Sequence, residues 1–319
     1  MSAPERVAPW LLLLTACSFN EGGVAGDHDA AQIDAASADG AVADATVDAP
    51  PGTPDAMADA TPEFDAPCVG DPLGFQPSNF TRCDLGASNP PVTYTVGTWT
   101  LDGDTGVLTS PAAATTNLVF VAIDQPSTGP LLSVFTFDDI DIPTTTVINV
   151  TGTHPVALVS LADIVVDGTL SVGANANASG PGGDLDALCG TGMGRGTLGV
   201  AADCGIDSNA VVLAGQGGGG GGFGTAGGNG GPVIDAGVAP AGGPLGGNTS
   251  LIPLRGGCAG GAGGNTGGGA GGGAGGGLQL VSATSISVSG TGRVTARGGN
   301  GIGSGGAGSA GGGGGSGGG

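Results

Sequence analysis

The sequence predicts an all-β chain: a parallel β-helix or similar solenoid with glycine-rich insertions, behind a disordered N-terminal tether. Three observations predict it. From Cys68 onward, short β-branched runs are broken by Gly, Pro, Asn and Asp; one strand-bearing unit recurs 122 residues later; and 73 of the 319 residues are glycine. Many short strands separated by turn residues suggest a sandwich or a solenoid of stacked strands, and an internal repeat favours the solenoid. With 3% aromatic residues, the core must be built from Val, Ile, Leu and Ala.

Residues 1–16 have the form of a secretory signal, with Arg6 near the start and the short apolar run Val7 to Leu14. That run is far below the roughly 20 apolar residues of a spanning helix. The next four positions, Leu14-Thr15-Ala16-Cys17, resemble the lipobox of bacterial lipoproteins. The resemblance implies cleavage before Cys17, diacylglycerol on its thiol and several fatty-acyl chains of the palmitate kind. Two or more chains anchor a protein stably. Ser18, where inner-membrane lipoproteins often carry Asp, implies the outer membrane, at its periplasmic face or the cell surface. The membrane, reached through the N-terminal lipid, is then the first partner.

Residues 17–66 hold the lipidation site and an Ala/Asp/Pro-rich tether with eleven acids between 18 and 66 and no base. One-signed charge with few large apolar side chains cannot offset the entropy of ordering, which predicts disorder. A flexible coil of that length spans roughly 40 Å, and self-repulsion extends it. The expected role is a spacer. Single Asp residues at intervals do not make a ligand cluster.

The formal charge is -21 and there is no Lys, so a basic surface for nucleic acid or anionic lipid is excluded. Beyond Cys17 there are five cysteines, and export permits disulfides. The sequence-local pairings are Cys68 with Cys83 and Cys189 with Cys204, which leave Cys258 unpaired. Spacing also leaves open a bond from Cys258 to Cys189 or Cys204. With no C-x-x-C pair and two histidines, His28 and His154, neither a metal nor a cofactor is expected.

Residues 67–179 read as a short-strand β domain. Tyr94 to Ser110 alternates on both sides of Asp102-Gly103-Asp104-Thr105-Gly106, a hairpin signal. The Asp-x-Asp start resembles a calcium loop. Gly106 nevertheless sits at the third ligand position and no Glu closes the loop, so the turn reads as structural. Strands are expected at Asn117 to Ile123, Leu131 to Phe137, Thr146 to Val150, Val156 to Leu161, Ile164 to Val166 and Thr169 to Val172.

The repeat joins Leu158–Ala174, LVSLADIVVDGTLSVGA, to Leu280–Ala296, LVSATSISVSGTGRVTA. Nine of seventeen positions are identical without a gap, beginning Leu158/Leu280 and including Ile164/Ile286, Val172/Val294 and Ala174/Ala296. Such units fit β-helix rungs that bury an apolar row against the next rung. Residues 278–300 are the second unit, 180–277 a glycine-rich insertion and 301–319 a glycine-rich tail. Two readings of the glycine stay open: disorder, because Gly loses the most freedom on folding, or packed polyglycine-II-like helices with three residues per turn.

These features together are similar to the glycine-rich β-helical surface lipoproteins of myxobacteria and related bacteria, a largely uncharacterised group. In that pattern a glycine run is followed by another strand unit, so the stop at Gly319 leaves open a truncated reading frame. The resemblance implies a non-enzymatic protein with a structural or adhesive role, whose partners include polysaccharide or other cell-surface proteins. The alternative is a β-helical polysaccharide lyase or hydrolase using Asp138, Asp139 or Asp141, which form the densest acidic group of the folded part. Such lyases pair grouped Asp with a basic residue, and here Lys is absent. His154, in Thr153-His154-Pro155, reads as a turn histidine. The glycine loops carry no Gly-Lys-Ser/Thr, and Gly190 to Gly196 connects no strand to a helix, so nucleotide binding is not expected. Gly180 to Asp186 is a single imperfect copy of a calcium repeat. Ice or surface binding by flat glycine helices has composition alone in its favour.

Overall fold

The computed structural model describes residues 73–126, 129–185, 189, 199, 201–203, 213–232, 238–247, 250–265, 267–305 and 309–319. The chain divides into two units, 1–66 and 67–319, and every described residue belongs to the second. The signal, Cys17, the tether, Cys68, Cys204 and Gly190 to Gly196 lie outside the described residues.

The described residues are all-β. Four short strands come first: β1 (Gly97–Asp102), β2 (Val107–Thr109), β3 (Thr115–Asn117) and β4 (Val121–Ile123). A first pass then runs β5 (Leu132–Phe137), β6 (Ile140–Ile142) and β7 (Thr146–Thr151). The second pass is β8 (Val156–Ser160), β9 (Ile164–Val166) and β10 (Thr169–Ser171). An excursion carries the antiparallel pair β11 (Ala201–Asp203) and β12 (Leu213–Gly215). The third pass follows as β13 (Leu278–Ser282), β14 (Ile286–Val288) and β15 (Arg293–Thr295).

Each pass gives its first strand to a parallel array β5-β8-β13, its second to β6-β9-β14 and its third to β7-β10-β15. The third array continues through β1, parallel to β7, and is closed by antiparallel β2 and β3. Alternation drives this arrangement, because successive strand residues point to opposite faces. Phe135, Ile140, Ile142, Ile148, Val150, Leu158, Ile164, Val166, Leu170 and Val172 share one buried cluster with Trp99, Leu101 and Leu108. Tyr94 packs edge-on against Trp99 at 5.2 Å between ring centroids, and burial raises the pKa of its phenol.

Strands β5 and β8 of the first array are buried on both sides. Its other face, Leu132, Val134, Ala157, Val159 and Val281, is covered by Leu73, Phe80 and Leu254. Buried amides fasten that cover: Leu254 N donates to Gln125 Oε1 at 2.7 Å and to Asn79 Oδ1 at 3.0 Å. Parallel sheets usually need such two-sided burial.

The repeat identities acquire a cause at the first corner of each pass. Ser160 Oγ accepts from Ala162 N at 3.2 Å, and Ser282 Oγ accepts from Thr284 N at 3.1 Å. The same serine turns the chain out of the first array in both passes. Leu158 pairs with Leu280 and Ile164 with Ile286, at the offset of 122 read from the sequence. The third array departs from it. There Leu170 pairs with Val294 and Ser171 with Thr295, an offset of 124, so Val172/Val294 is a sequence match and not a structural pair. A slip of one residue would turn every side chain over, whereas a slip of two preserves the buried face.

Three further expectations change. Asn117 to Ile123 is two strands, not one. Leu118 turns in, its N–H bonded to Gly106 O at 2.8 Å, and Phe120 stacks on Phe135 at 5.1 Å, so the chain leaves one array and joins another. Strand β6 escapes sequence reasoning because its two isoleucines lie among Asp138, Asp139 and Asp141. Cys189 is bonded to Cys258 (S–S 2.05 Å, Cα–Cα 5.4 Å), which corrects the local pairing of Cys189 with Cys204 and is the alternative, left open by spacing, in which Cys258 joins Cys189. Gly256 N bonds Gly182 O and Asp184 N bonds Gly257 O, so the two segments lie side by side although the cysteines are 69 positions apart in sequence. Cys83 is also disulfide-bonded.

The described glycine segments are laced together by backbone hydrogen bonds with a period of three. The amides of Gly269, Gly272, Gly275 and Leu278 donate to the carbonyls of Ala310, Gly313, Ser316 and Gly319 at 2.8–2.9 Å. On a second side, Gly312, Gly315 and Gly318 donate to Ile302, Gly299 and Ala296. On a third, Gly313 and Ser316 donate to Gly261 and Cys258, and on a fourth Gly218 and Gly221 donate to Gly311 and Gly314. Backbones this close leave no room for side chains. A Cβ at Gly272 would land on Gly299 O, and one at Gly312 on Ala270 O.

Two contrasts test this packing. Gly272→Ala lowers the midpoint of thermal unfolding, while Gly303→Ala, where a Cβ meets nothing within 4 Å, leaves it unchanged or raises it. Ile164→Ala costs about 2–5 kcal/mol in denaturant unfolding, whereas Ile286→Ala, at a side chain 47% exposed, costs well under half as much.

Candidate functional site

The densest polar constellation lies where the β1–β2 turn meets the corner between β7 and β8. Asp102 Oδ1 accepts from Asp104 N at 2.9 Å and from Thr105 N at 3.0 Å, which closes the turn. Asp104 then reaches the next pass. Its carboxylate accepts from Thr153 N at 2.8 and 2.9 Å, Thr153 Oγ1 at 3.0 Å and His154 N at 3.1 Å. His154 Nδ1 lies 3.4 Å from Asp104 Oδ1 and 3.4 Å from Ser133 Oγ. Gly152 is required beside it, with φ +125° and a Cβ position 2.9 Å from Asp104 Oδ1.

Ser, His and Asp together invite a nucleophile–base reading, which the geometry opposes. A working triad places the nucleophile on one ring nitrogen and the acid on the other. Here both approach Nδ1, and Ser133 is 0% exposed. Asp104 is a clasp between turns: backbone amides take up its oxygens, and the histidine packs beside it. The Asp-x-Asp turn is accordingly structural.

The other sequence candidates are dispersed. Asp138 accepts a very short hydrogen bond from Ser88 Oγ, and Asp141 lies on the exposed side of β6, in register with Val165 and through it with Ser287. Asp184, in the imperfect calcium repeat, accepts from Ala259 N at 3.1 Å and so holds a glycine segment. Among the described residues no group of three or more His, Cys, Asp or Glu could hold a metal ion. A recess of about 370 Å³ is lined by Gln76, Phe80, Thr81, Asp84, Asp124 and Gln125. Several of its polar groups are turned to the protein: Gln76 Nε2 donates to Phe80 O, Asp84 accepts from Thr81, and Gln125 Nε2 donates to Pro130 O and Leu254 O. Arg255 stands over the Phe223 ring at 5.9 Å, and burial lowers its pKa.

The feature that sequence reasoning missed is the outer face of the third array. Residues turned away from the core line up across six strands: Thr115, Thr109, Thr100, Asn149, Ser171 and Thr295 are successive register partners. Each carries a hydroxyl or an amide. Apart from Ser171, whose Oγ accepts from Gly173 N at 3.3 Å, none makes a side-chain hydrogen bond among the described residues. With strands about 4.8 Å apart, this is a regular polar row some 25 Å long. The alternation Thr98, Thr100 was the available signal, but the row exists only once register brings six strands together.

No protein-family model matches the chain, and no curated protein or solved structure matches it either. Among the described residues no helix is long and apolar enough to cross a membrane.

If Asp104 is a clasp, Asp104→Ala lowers unfolding free energy by about 1–3 kcal/mol, because several amides lose a charged acceptor. His154→Ala costs less, since Asp104 keeps its backbone donors. Denaturant unfolding of both variants checks the order.

Proposed function

We propose that this chain is a non-enzymatic surface lipoprotein with a structural or adhesive role in the cell envelope. Its folded part is a short parallel β-helix of three passes, abutted by a polyglycine-II-like lattice. The three parallel arrays support the first description, and the three-residue hydrogen-bond period supports the second. Cys17 carries the lipid that fixes the protein to the outer membrane, and the acidic tether holds the folded part away from the bilayer.

The observation that carries the adhesive reading is the row from Thr115 to Thr295. A ladder of uncharged donors and acceptors, in which only Ser171 makes a side-chain hydrogen bond among the described residues, suits a repeating, uncharged, hydroxyl-rich ligand such as a neutral polysaccharide. Hydrogen bonds of this kind are individually weak, about 0.5–1.5 kcal/mol each, so affinity comes from repetition. The acidic balance of the whole chain disfavours anionic polymers as partners.

Two measurements check the reading. In pull-downs with insoluble neutral polysaccharides, the triple variant Thr100→Ala/Asn149→Ala/Thr295→Ala binds about tenfold or more weakly than the unaltered chain and unfolds at a similar temperature. Equal binding by both proteins rules the row out. In cells, labelled palmitate enters the unaltered protein and not Cys17→Ala; persistent labelling of the variant removes the anchor.

A further inference from the structure

The dipeptide Asn-Gly occurs twice in the sequence, at Asn229–Gly230 and Asn300–Gly301, each time directly after a glycine. Both asparagines are exposed, and both stand in the described glycine segments. Their surroundings hold them differently. At the first, Gly230 N donates to Pro240 O at 2.7 Å and Asn229 Oδ1 accepts from Gly242 N at 3.0 Å, so peptide unit and side chain are both fastened. At the second, neither Asn300 O nor Gly301 N nor the Asn300 side chain has a hydrogen-bond partner among the described residues.

The residues on either side of this second unit are pinned. Gly299 N donates to Gly273 O at 2.7 Å and Gly299 O accepts from Gly315 N at 2.9 Å. Ile302 N donates to Ala270 O at 2.9 Å and Ile302 O accepts from Gly312 N at 3.0 Å. The peptide unit between Asn300 and Gly301 can therefore rotate without breaking a hydrogen bond. Glycine at 301 matters too, because with no Cβ beside it the amide nitrogen is open to the preceding side chain.

We propose that Asn300–Gly301 is a modification site, a succinimide-forming pair that water converts to aspartate and isoaspartate, while hydrogen bonds keep Asn229–Gly230 from the same reaction. The Gly301 nitrogen, its proton taken by hydroxide, bonds to Asn300 Cγ. The Cγ–Nδ2 bond breaks, and Nδ2 leaves as ammonia with a proton from water. Water then opens the ring: attack at Cγ gives aspartate, and attack at the Asn300 carbonyl carbon gives isoaspartate, whose main chain runs through Cβ and Cγ. The added backbone carbon falls between Gly299 and Ile302, whose carbonyls must meet the amides of Gly315 and Gly312 at a spacing of three residues. The site thus acts as a slow, water-driven timer that loosens the glycine lattice. It rests on the lattice described above and is independent of the lipid anchor and of polysaccharide binding.

The test ages the full chain at mildly alkaline pH in water labelled with heavy oxygen and follows both asparagines by peptide mapping. Asn300 is expected to convert at least about tenfold faster than Asn229, the factor that one or two hydrogen bonds of ordinary strength make. In denaturant, where both stand in the same Gly-Asn-Gly context, the two are expected to convert at similar rates. Hydrogen exchange at Gly312 and Gly315 is expected to quicken in the aged chain and to stay slow in Asn300→Gln aged alike. Equal native rates, faster conversion of Asn229, or an Asn300 that stays intact in the native chain overturns the site. Unchanged exchange at Gly312 and Gly315 after conversion overturns the timer. Unprotected amides at Gly312 and Gly315 in the fresh chain overturn the lattice itself.

Discussion

The in-register stacking of one apolar row on the next is the constraint on which the rest of the structure depends. A single pass has nothing to cover its inward residues, so Ile140 and Ile164 acquire a core by lying on one another's strands, while Ile286, with a partner strand on one side, stays half exposed. This explains why the serine corner recurs at Ser160 and Ser282, and why the third array absorbs a shift of two residues but not of one. It also explains the contrast in exposure between Ile164 and Ile286, identical residues in identical sequence context. What differs between them is a neighbour on the far side.

The glycine lattice solves a related problem by other means. A β-strand pairs in one plane, whereas an extended helix of three residues per turn can bond neighbours on several sides if no Cβ intervenes. Segment 309–319 shows this with bonds to four different segments. The cost in conformational entropy is high for each glycine. Ordered backbone hydrogen bonds and the Cys189–Cys258 link oppose it. By chain-entropy reasoning a loop of that length contributes about 4 kcal/mol through the unfolded state.

Much of the strand content was legible because it is local. The hairpin at Asp102–Gly106, the strand at Leu131 to Phe137 and the repeat at 158 and 280 are all written in neighbouring residues. What could not be read depends on partners distant in sequence. The β6 isoleucines lie among acids, and their inward role appears only when Ile164 and Ile286 are laid beside them. Cys258 meets Cys189 through glycine contacts that have no side-chain signature. The row from Thr115 to Thr295 uses strands separated by up to 180 residues, and no single segment announces it. Asp104 and His154 looked like separate turn residues, and proximity makes them a clasp without making them catalytic.

In the third array the sequence repeat and the structure disagree on register, 122 against 124 residues. Paired cysteines decide it: Ser171→Cys/Thr295→Cys places the thiols on register partners, and Ser171→Cys/Arg293→Cys places them two residues apart along the strand. Neighbouring strands hold partner Cα atoms within disulfide range, and a two-residue offset adds about 6.6 Å along the strand. On mild oxidation, peptide mapping should recover the 171–295 bond in high yield and little or none of 171–293. Efficient formation of the 171–293 bond would place the third pass at the offset of the sequence repeat and contradict the stacking described here.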